Sequence, residues 1–412
     1  GSRYFQSPVL YKENGFKKKE DAQKLICELS TQQPLICTVE KIERKKENKN
    51  PPLLFNLAEL QNVCSKLFKI SPDETLSIVQ DLYEKKLVTY PRTDARVLST
   101  AVEKEIYKNI SGLRNYPQAG EAAQGALELG AYKNIAKTRY TNDKQITDHY
   151  AIIPTGQGLG ALKGLSLTAQ RVYETIVRRF LSIFYPPAVY QKVSLVTKME
   201  NESFFSSFKV LLSEGYLKIA ANSFAKKSMA EVSGKTPESE GEGEVSCDEA
   251  LLAALQKLKK GDILNINGLG IKEGETSPPK RYNSGSMILA MENAGQLIED
   301  EDLRSQIKGS GIGTSATRAE ILKKLFNIRY LSLNKKTQVI TPTLQGEMIY
   351  DVVNCSIRQL LNPELTASWE KGLTYVAEGS ITEQEYMDKL EHFVRIRTKQ
   401  VEDSHFQYAL RQ

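Results

Sequence analysis

The sequence predicts a multidomain α+β protein, and three observations carry that reading. The chain has 412 residues, beyond the size at which one hydrophobic core keeps growing, so two to four domains are expected. Between Ala188 and Ile271 the apolar residues follow period two, through Val193, Leu195, Phe204, Phe208 and Val210 and again through Ile263 to Ile266, which marks a β-rich part. On both sides of it, apolar residues recur at helical spacing, and the helices lead into short extended runs in the manner of winged-helix units.

The bulk properties narrow the class. Hydrophobic residues make up 40% and charged residues 26% of the chain, an ordinary folded balance. A net charge of +6 permits a nucleic-acid partner without requiring one. The sequence contains neither an uninterrupted apolar run of about 18 residues nor an apolar leader, so a cytoplasmic, nucleoid-associated protein outside the membrane is expected. Cys27, Cys37, Cys64, Cys247 and Cys355 form no CxxC pair, which argues against a zinc ribbon or a disulfide framework. The opening Gly1-Ser2, without Met, reads as a cloning remnant, and the chain is expected to be a piece of something longer.

Taken in order, a helix around Ala22 to Leu29 precedes a strand from Pro34 to Ile42, and the charged run Glu43 to Asn50 with Pro51-Pro52 marks a boundary. Asn56 with Glu59 signals a capped helix whose apolar face is Leu57, Leu60, Cys64, Leu67 and Phe68. Ser71, Pro72 and Glu74 start a second helix, with Leu76, Val79, Leu82 and Tyr83 as its buried stripe. Thr100 with Glu103 caps a helix to about Ile110, and a polar, Gly-rich excursion runs to about residue 145. The segment Asp148 to Thr155 is extended, and Thr168 to Phe184 is helical up to Pro186-Pro187. Inside the β-rich part, residues 231–249 hold seven acidic side chains against one lysine, the composition of a mobile loop. Its Gly234-Lys235-Thr236 is no phosphate loop, because Met229 stands where that pattern needs glycine. Residues 284–298 read as a helix, Gly309 to Ala316 as a flexible lead, Thr317 with Glu320 as a capping box, and Tyr330 to Thr341 as a hairpin wing.

The chemistry centres on Val88-Thr89-Tyr90-Pro91-Arg92-Thr93-Asp94. In a strand, Tyr90 and Arg92 face the same way, and Pro91 stiffens the backbone between them. A free phenol has a pKa near ~10 and attacks poorly, so a guanidinium beside it would help both the phenolate and an anionic phosphate. The competing reading is a strand-end tyrosine stacked on an arginine. Gly311 to Arg318 offers backbone N–H groups and a cation for a phosphate, or else is an ordinary N-capped helix. His149 is a second candidate, and a structural histidine is the alternative. No carboxylate cluster with metal spacing and no Ser/His/Asp arrangement is visible.

Together these blocks resemble type IA DNA topoisomerases, nearest to the bacterial topoisomerase III branch. The resemblance rests on Pro51-Pro52, Phe55 to Gln61, Leu82-Tyr83-Glu84, Val88 to Asp94, His149 to Thr155, Pro278 to Tyr282, Gly311 to Ala319, Thr341-Pro342-Thr343 and Pro363 to Glu370, in the family's order. It implies an open toroid: a β-rich arch (3–50 and 186–277), an inserted helical domain bearing the tyrosine (51–185) and a second helical, winged-helix-like domain (278–412). It implies that Tyr90 forms a 5′-phosphotyrosine link to DNA, that Arg92 and His149 meet the scissile phosphate region, and that Thr317 lies at the DNA groove, where Arg281 and Arg318 would also meet phosphates. Magnesium, without ATP, is expected from the family's N-terminal Toprim domain, which has no counterpart in this sequence, and the fragment alone is expected to be inactive. Single-stranded DNA is the expected partner of a monomer. The alternative is a non-catalytic DNA-binding module; a tyrosine recombinase is disfavoured, because its Arg and His residues around a C-terminal tyrosine are missing.

Overall fold

The computed structural model describes residues 10–11, 16–31, 33–146, 148–224, 245–246, 249–275, 277–294 and 311–404. They form two compact units, one drawn from Gly1–Pro52, Gly125–Ala131 and Arg178–Pro278, the other from Leu53–Gln124, Tyr132–Val177 and Pro279–Gln412.

The first unit is built on a largely antiparallel sheet. Its strands are β1 (Leu10–Tyr11), β2 (Ile36–Lys49), β3 (Ala188–Met199), β4 (Glu202–Ser213), β5 (Val245–Ser246) and β6 (Ile263–Asn265). Their order is β1-β4-β3-β2-β6, and β5 pairs with β4 in parallel. Period-two sequence buries one face: Val39, Val193, Leu195 and Phe208 form a core with Leu255 of the helix Glu249–Lys257. Arg44 projects from β2 to the end of that helix, where its Nη2 donates to Leu255 O at 2.7 Å and Leu258 O at 2.6 Å. It thereby satisfies carbonyls that a helix C-terminus leaves open.

The second unit holds the tyrosine segment. Asn56 Oδ1 accepts from Glu59 N at 2.9 Å and starts the helix Leu57–Phe68, and Ser71 Oγ accepts from Glu74 N at 3.1 Å with Pro72 leading the helix Pro72–Glu84. The helix Ser284–Glu292 has a capping box of Asn283 and Ser286, and the helix Arg318–Asn327 runs into a two-stranded wing of β7 (Leu331–Leu333) and β8 (Ile340–Pro342). Ala58, Ile288, Met291 and Leu322 pack as one core across three of these helices. The helices Leu57–Phe68 and Ser284–Glu292 cross at Gly285, where a Cβ would lie 2.6 Å from Asn62 Cα. At that crossing Ser65 Oγ and Ser284 Oγ stand 2.9 Å apart, and Ser284 donates to Gln338. Further on come the helices Leu344–Ser356, Pro363–Ala377 and Glu383–Glu402, with Trp369 edge-on to Tyr386 and Phe393.

Several expectations are corrected. The boundary expected at Pro51-Pro52 coincides with the end of the stretch Gly1–Pro52 of the first unit, but the strand expected to end at Ile42 continues through the charged run as β2 to Lys49 and pairs with β3 from Glu43↔Ser194 to Lys49↔Ala188. Backbone ladder bonds hold it while its side chains stay largely in solvent. The polar excursion contains a helix at Gly120–Leu129 and several 3₁₀ turns. Ser99, not Thr100, caps the following short helix by accepting from Val102 N. Thr317 makes no capping box, because its Oγ1 accepts from Thr314 N at 2.9 Å instead. Leu67 and Tyr83 lie at the ends of their helical stripes and are exposed. The acidic stretch 231–249 lies outside the described residues except for Val245–Ser246 and Glu249, as do Gly309, Ser310 and residues 295–298.

Candidate active site

The helix Pro72–Glu84 ends in a turn in which Lys86 N–H donates to Tyr83 O at 2.8 Å and Leu87 N–H to Leu82 O at 2.9 Å, with Lys86 at φ +61°. The chain then runs extended, but not as a regular strand. Val88 forms a single bridge to Pro154, Thr89 N–H donates to Ile153 O at 3.0 Å, and Thr155 N–H donates to Leu87 O at 3.0 Å. Side chains tie the same two segments: Thr89 Oγ1 donates to Ala151 O and accepts from Ile153 N, each at 3.0 Å. At Pro91 the backbone bends, and Thr93 N–H donates back to Pro91 O at 3.1 Å. Strand geometry therefore does not place Tyr90 and Arg92 on one face. Their proximity comes from sequence alone.

Thr93 is the pin of this bend. It is buried, its Oγ1 donates to His149 O at 2.8 Å and accepts from Ala95 N at 3.1 Å, and its carbonyl accepts from Leu57 N at 3.1 Å. The result is that His149 sits against Tyr90, with ring centroids 4.3 Å apart and planes at 43°. On the same tyrosine, Tyr83 makes an edge contact at 5.5 Å and 83°. Tyr90 is half-buried and His149 exposed. Arg92, also half-buried, has no hydrogen-bond or ion-pair partner among the described residues. The arrangement is a phenol in contact with two rings, two residues before a guanidinium that pairs with none of the described residues.

Behind the bend lies a polar network. Arg318 is 1% exposed, its Nη1 donates to Asp94 Oδ1 at 2.8 Å, and its Nε donates to Ile312 O at 3.3 Å. Asn56 Nδ2 donates to Asp94 O at 3.1 Å and to Glu292 Oε1 at 2.6 Å. Burial holds the Glu292 carboxyl above its ordinary range, while the Arg318 charge pulls it back. Arg318 thus presents its charge to Asp94 and not to solvent. Gly311, at φ +60°, lets the entrance loop approach Glu292 O, which a Cβ would meet at 2.5 Å. Thr317 and Arg281 are exposed, and no contact joins either of them to Tyr90 among those described. Asp94, Asn56, Glu292 and Tyr83 received no site role from the sequence. For Asp94 a signal existed, its place four residues after Tyr90 in the motif.

Among the described residues no group of three or more His, Cys, Asp or Glu side chains is placed to hold a metal ion. The carboxylates of the polar network behind the tyrosine segment, Asp94 and Glu292, are occupied by Arg318 and Asn56. These residues do not fit a magnesium site.

Comparison with known proteins decides the family: the DNA topoisomerase family profile matches residues 4–388. The chain belongs to the DNA topoisomerase family. DNA topoisomerase 3 of Bacillus licheniformis is 33% identical over 357 residues, covering 86% of this chain and 45% of that protein. DNA topoisomerase 3 of Bacillus subtilis is 31% identical over 385 residues, covering 92% of this chain and 49% of that protein. The chain spans about half the length of the curated relatives it matches. Full-length topoisomerase I from Thermotoga maritima shares the fold, with a TM-score of 0.62 at 21% identity over 95% of this chain and 57% of that one. The resemblance to the topoisomerase III branch, drawn from the motifs around Tyr90, agrees with these relatives. Among the described residues no helix is long and apolar enough to cross a membrane.

Proposed function

We propose that Tyr90 is the nucleophile of a type IA topoisomerase reaction on one DNA strand. The Tyr90 oxygen attacks a backbone phosphorus, the bond from phosphorus to the 3′-oxygen breaks, and the 5′-phosphate is left joined to the tyrosine. The phenol proton leaves as the bond forms, and the freed 3′-oxygen takes up a proton. After a second strand passes, the reverse step restores the phosphodiester. The number of ester bonds is unchanged throughout, so the cycle needs no ATP. Arg92 offsets the charge that develops on the phosphoryl oxygens, and His149 lies against the nucleophile, within reach of the same phosphate region. The observation that carries this reading is the placement of Tyr90: half-exposed, on a bend pinned by Thr89 and Thr93, with an arginine two residues on that pairs with none of the described residues.

The substrate in this proposal is single-stranded DNA, met by exposed residues such as Arg281 and Thr317, with Arg318 acting on the site from behind through Asp94. Magnesium belongs to it as an ion held outside this chain, so the chain alone is inactive. The protein works as a monomer at the nucleoid, on negative supercoils or linked strands. The proposal divides the chain into a β-rich part (3–50, 186–277) and two helical parts (51–185, 278–412), and the strands β1 to β6 all fall in the first.

The test is covalent trapping. Full-length protein with magnesium and a labelled single strand, denatured in detergent, should retain the label on protein. Tyr90→Phe should lose that label while still binding DNA, because only the hydroxyl is gone. A labelled adduct that survives in Tyr90→Phe contradicts the proposal.

A further inference from the structure

We propose that Tyr83 is a positioning residue for Tyr90, acting through its ring and not through its hydroxyl. The inference rests on Tyr90 being the nucleophile.

Helical spacing places Tyr83 beside the buried stripe of Leu76, Val79 and Leu82, yet it is 39% exposed while Leu82 is fully buried. A large ring left at the surface at the end of a helix has no core role. What it touches is the candidate nucleophile. The helix stops one residue later, and Lys86, in the left-handed region, turns the chain back so that the extended run returns past the helix end. That turn is held by the bonds from Lys86 N to Tyr83 O and from Leu87 N to Leu82 O. Tyr83 therefore stands on a rigid helix, fastened by its own carbonyl to the loop that carries Tyr90.

The geometry of the contact is specific. Centroids 5.5 Å apart at 83° form the edge-to-face pairing that aromatic quadrupoles favour. His149 makes a second ring contact with Tyr90, centroids 4.3 Å apart. One contact restricts the ring; two from separate segments fix it. A nucleophile with its side-chain torsions already set reaches its line of attack without searching for it, and such preorganisation enters the rate directly. Because the contact is between rings, a phenylalanine should serve as well as the tyrosine.

The experiment uses the full-length protein with magnesium and compares Tyr83→Ala and Tyr83→Phe with the parent. The rate constant of adduct formation is measured in single turnover, alongside single-strand affinity. An aromatic pair of this kind corresponds to roughly a tenfold change in rate, so Tyr83→Ala should form the adduct about tenfold more slowly at saturating DNA. Its affinity should be unchanged, and Tyr83→Phe should match the parent. A second readout uses this chain alone: nitration of Tyr90, mapped by mass spectrometry, should accelerate in Tyr83→Ala and not in Tyr83→Phe, since one side of the ring is uncovered. An Ala variant with parental adduct and nitration rates overturns the proposal, as does a Phe variant that loses as much as Ala. Failure of the underlying assignment looks different: an adduct that persists in Tyr90→Phe removes the nucleophile itself, whatever Tyr83 does.

Discussion

Replacing Arg318 by methionine should destabilise the second unit far more than replacing its partner Asp94 by asparagine. Arg318 is 1% exposed and Asp94 is 36% exposed, so the two ends of one ion pair sit in different surroundings. Among the described residues, removing the arginine leaves half-buried Glu292 with only the Arg96 cation acting on it and takes away the donor to Ile312 O; breaking such a pair typically costs about 3–5 kcal/mol. Asparagine at Asp94 keeps an oxygen for Arg318, whose charge still has Glu292 nearby, so its cost is about 1–2 kcal/mol. For a unit of this size the arginine variant should melt about 6–20 °C lower. The difference should also depend on pH. Burial raises Glu292 above its ordinary value of 4.5, and Arg318 lowers it; without Arg318 it rises further. A carboxyl raised on folding supports the fold below its unfolded pKa and loses that contribution as pH climbs through the folded value. The deficit of Arg318→Met relative to the parent should therefore be smallest near pH 5 and grow toward neutrality and above, as read by circular-dichroism melts across that range. Equal losses in the two variants, or a deficit that does not vary with pH, would refute the reasoning.

Three further outcomes are expected. Gly285→Val should cost about 3 kcal/mol or more, because a side chain there meets the backbone of the helix Leu57–Phe68 at Asn62, and neither helix can retreat without opening the core of Ala58 and Ile288; a urea midpoint equal to the parent's would contradict it. Cys64, fully buried with its thiol pushed up by burial, should resist alkylation until the protein unfolds, whereas exposed Cys27 should react at once; peptide mapping after a short iodoacetamide pulse distinguishes them. Binding of this chain to a labelled single strand should weaken steeply with added salt, since phosphate contacts release counterions, and salt-independent binding would argue against a phosphate groove.

What the sequence disclosed was what local chemistry determines. Asn56 and Ser71 cap their helices, with Pro72 as the first residue of the second, because a cap needs only residues within one turn, and the alternation of Val193 and Leu195 declares a sheet face without any partner being known. The wing after Asn327 was legible for the same reason. Tyr83 was misplaced because a helical stripe has no marked end: period 3.6 continues past the last buried position. The strand through Lys45 and Lys46 was hidden by its charges, since ladder bonds between backbones leave no mark on side chains. The network behind the site was out of reach altogether. Asp94 and Arg318 are separated by 224 positions, and Asn56 and Glu292 by 236, so only the folded chain shows that the residue after Thr93 is held by the helix of the wing unit. The motif gave Tyr90 its candidacy; the fold supplied its surroundings.

The central claim is that Tyr90 takes a 5′-phosphate, and the polarity of the trapped adduct tests it most directly. A single strand cleaved by the full-length protein with magnesium is digested, after denaturation, by exonucleases that need a free 5′ or a free 3′ end. The product joined to Tyr90 should resist the 5′ enzyme and yield to the 3′ enzyme, leaving a free 3′-hydroxyl on the other fragment. An adduct blocked at its 3′ end, or joined to any residue other than Tyr90, contradicts the account.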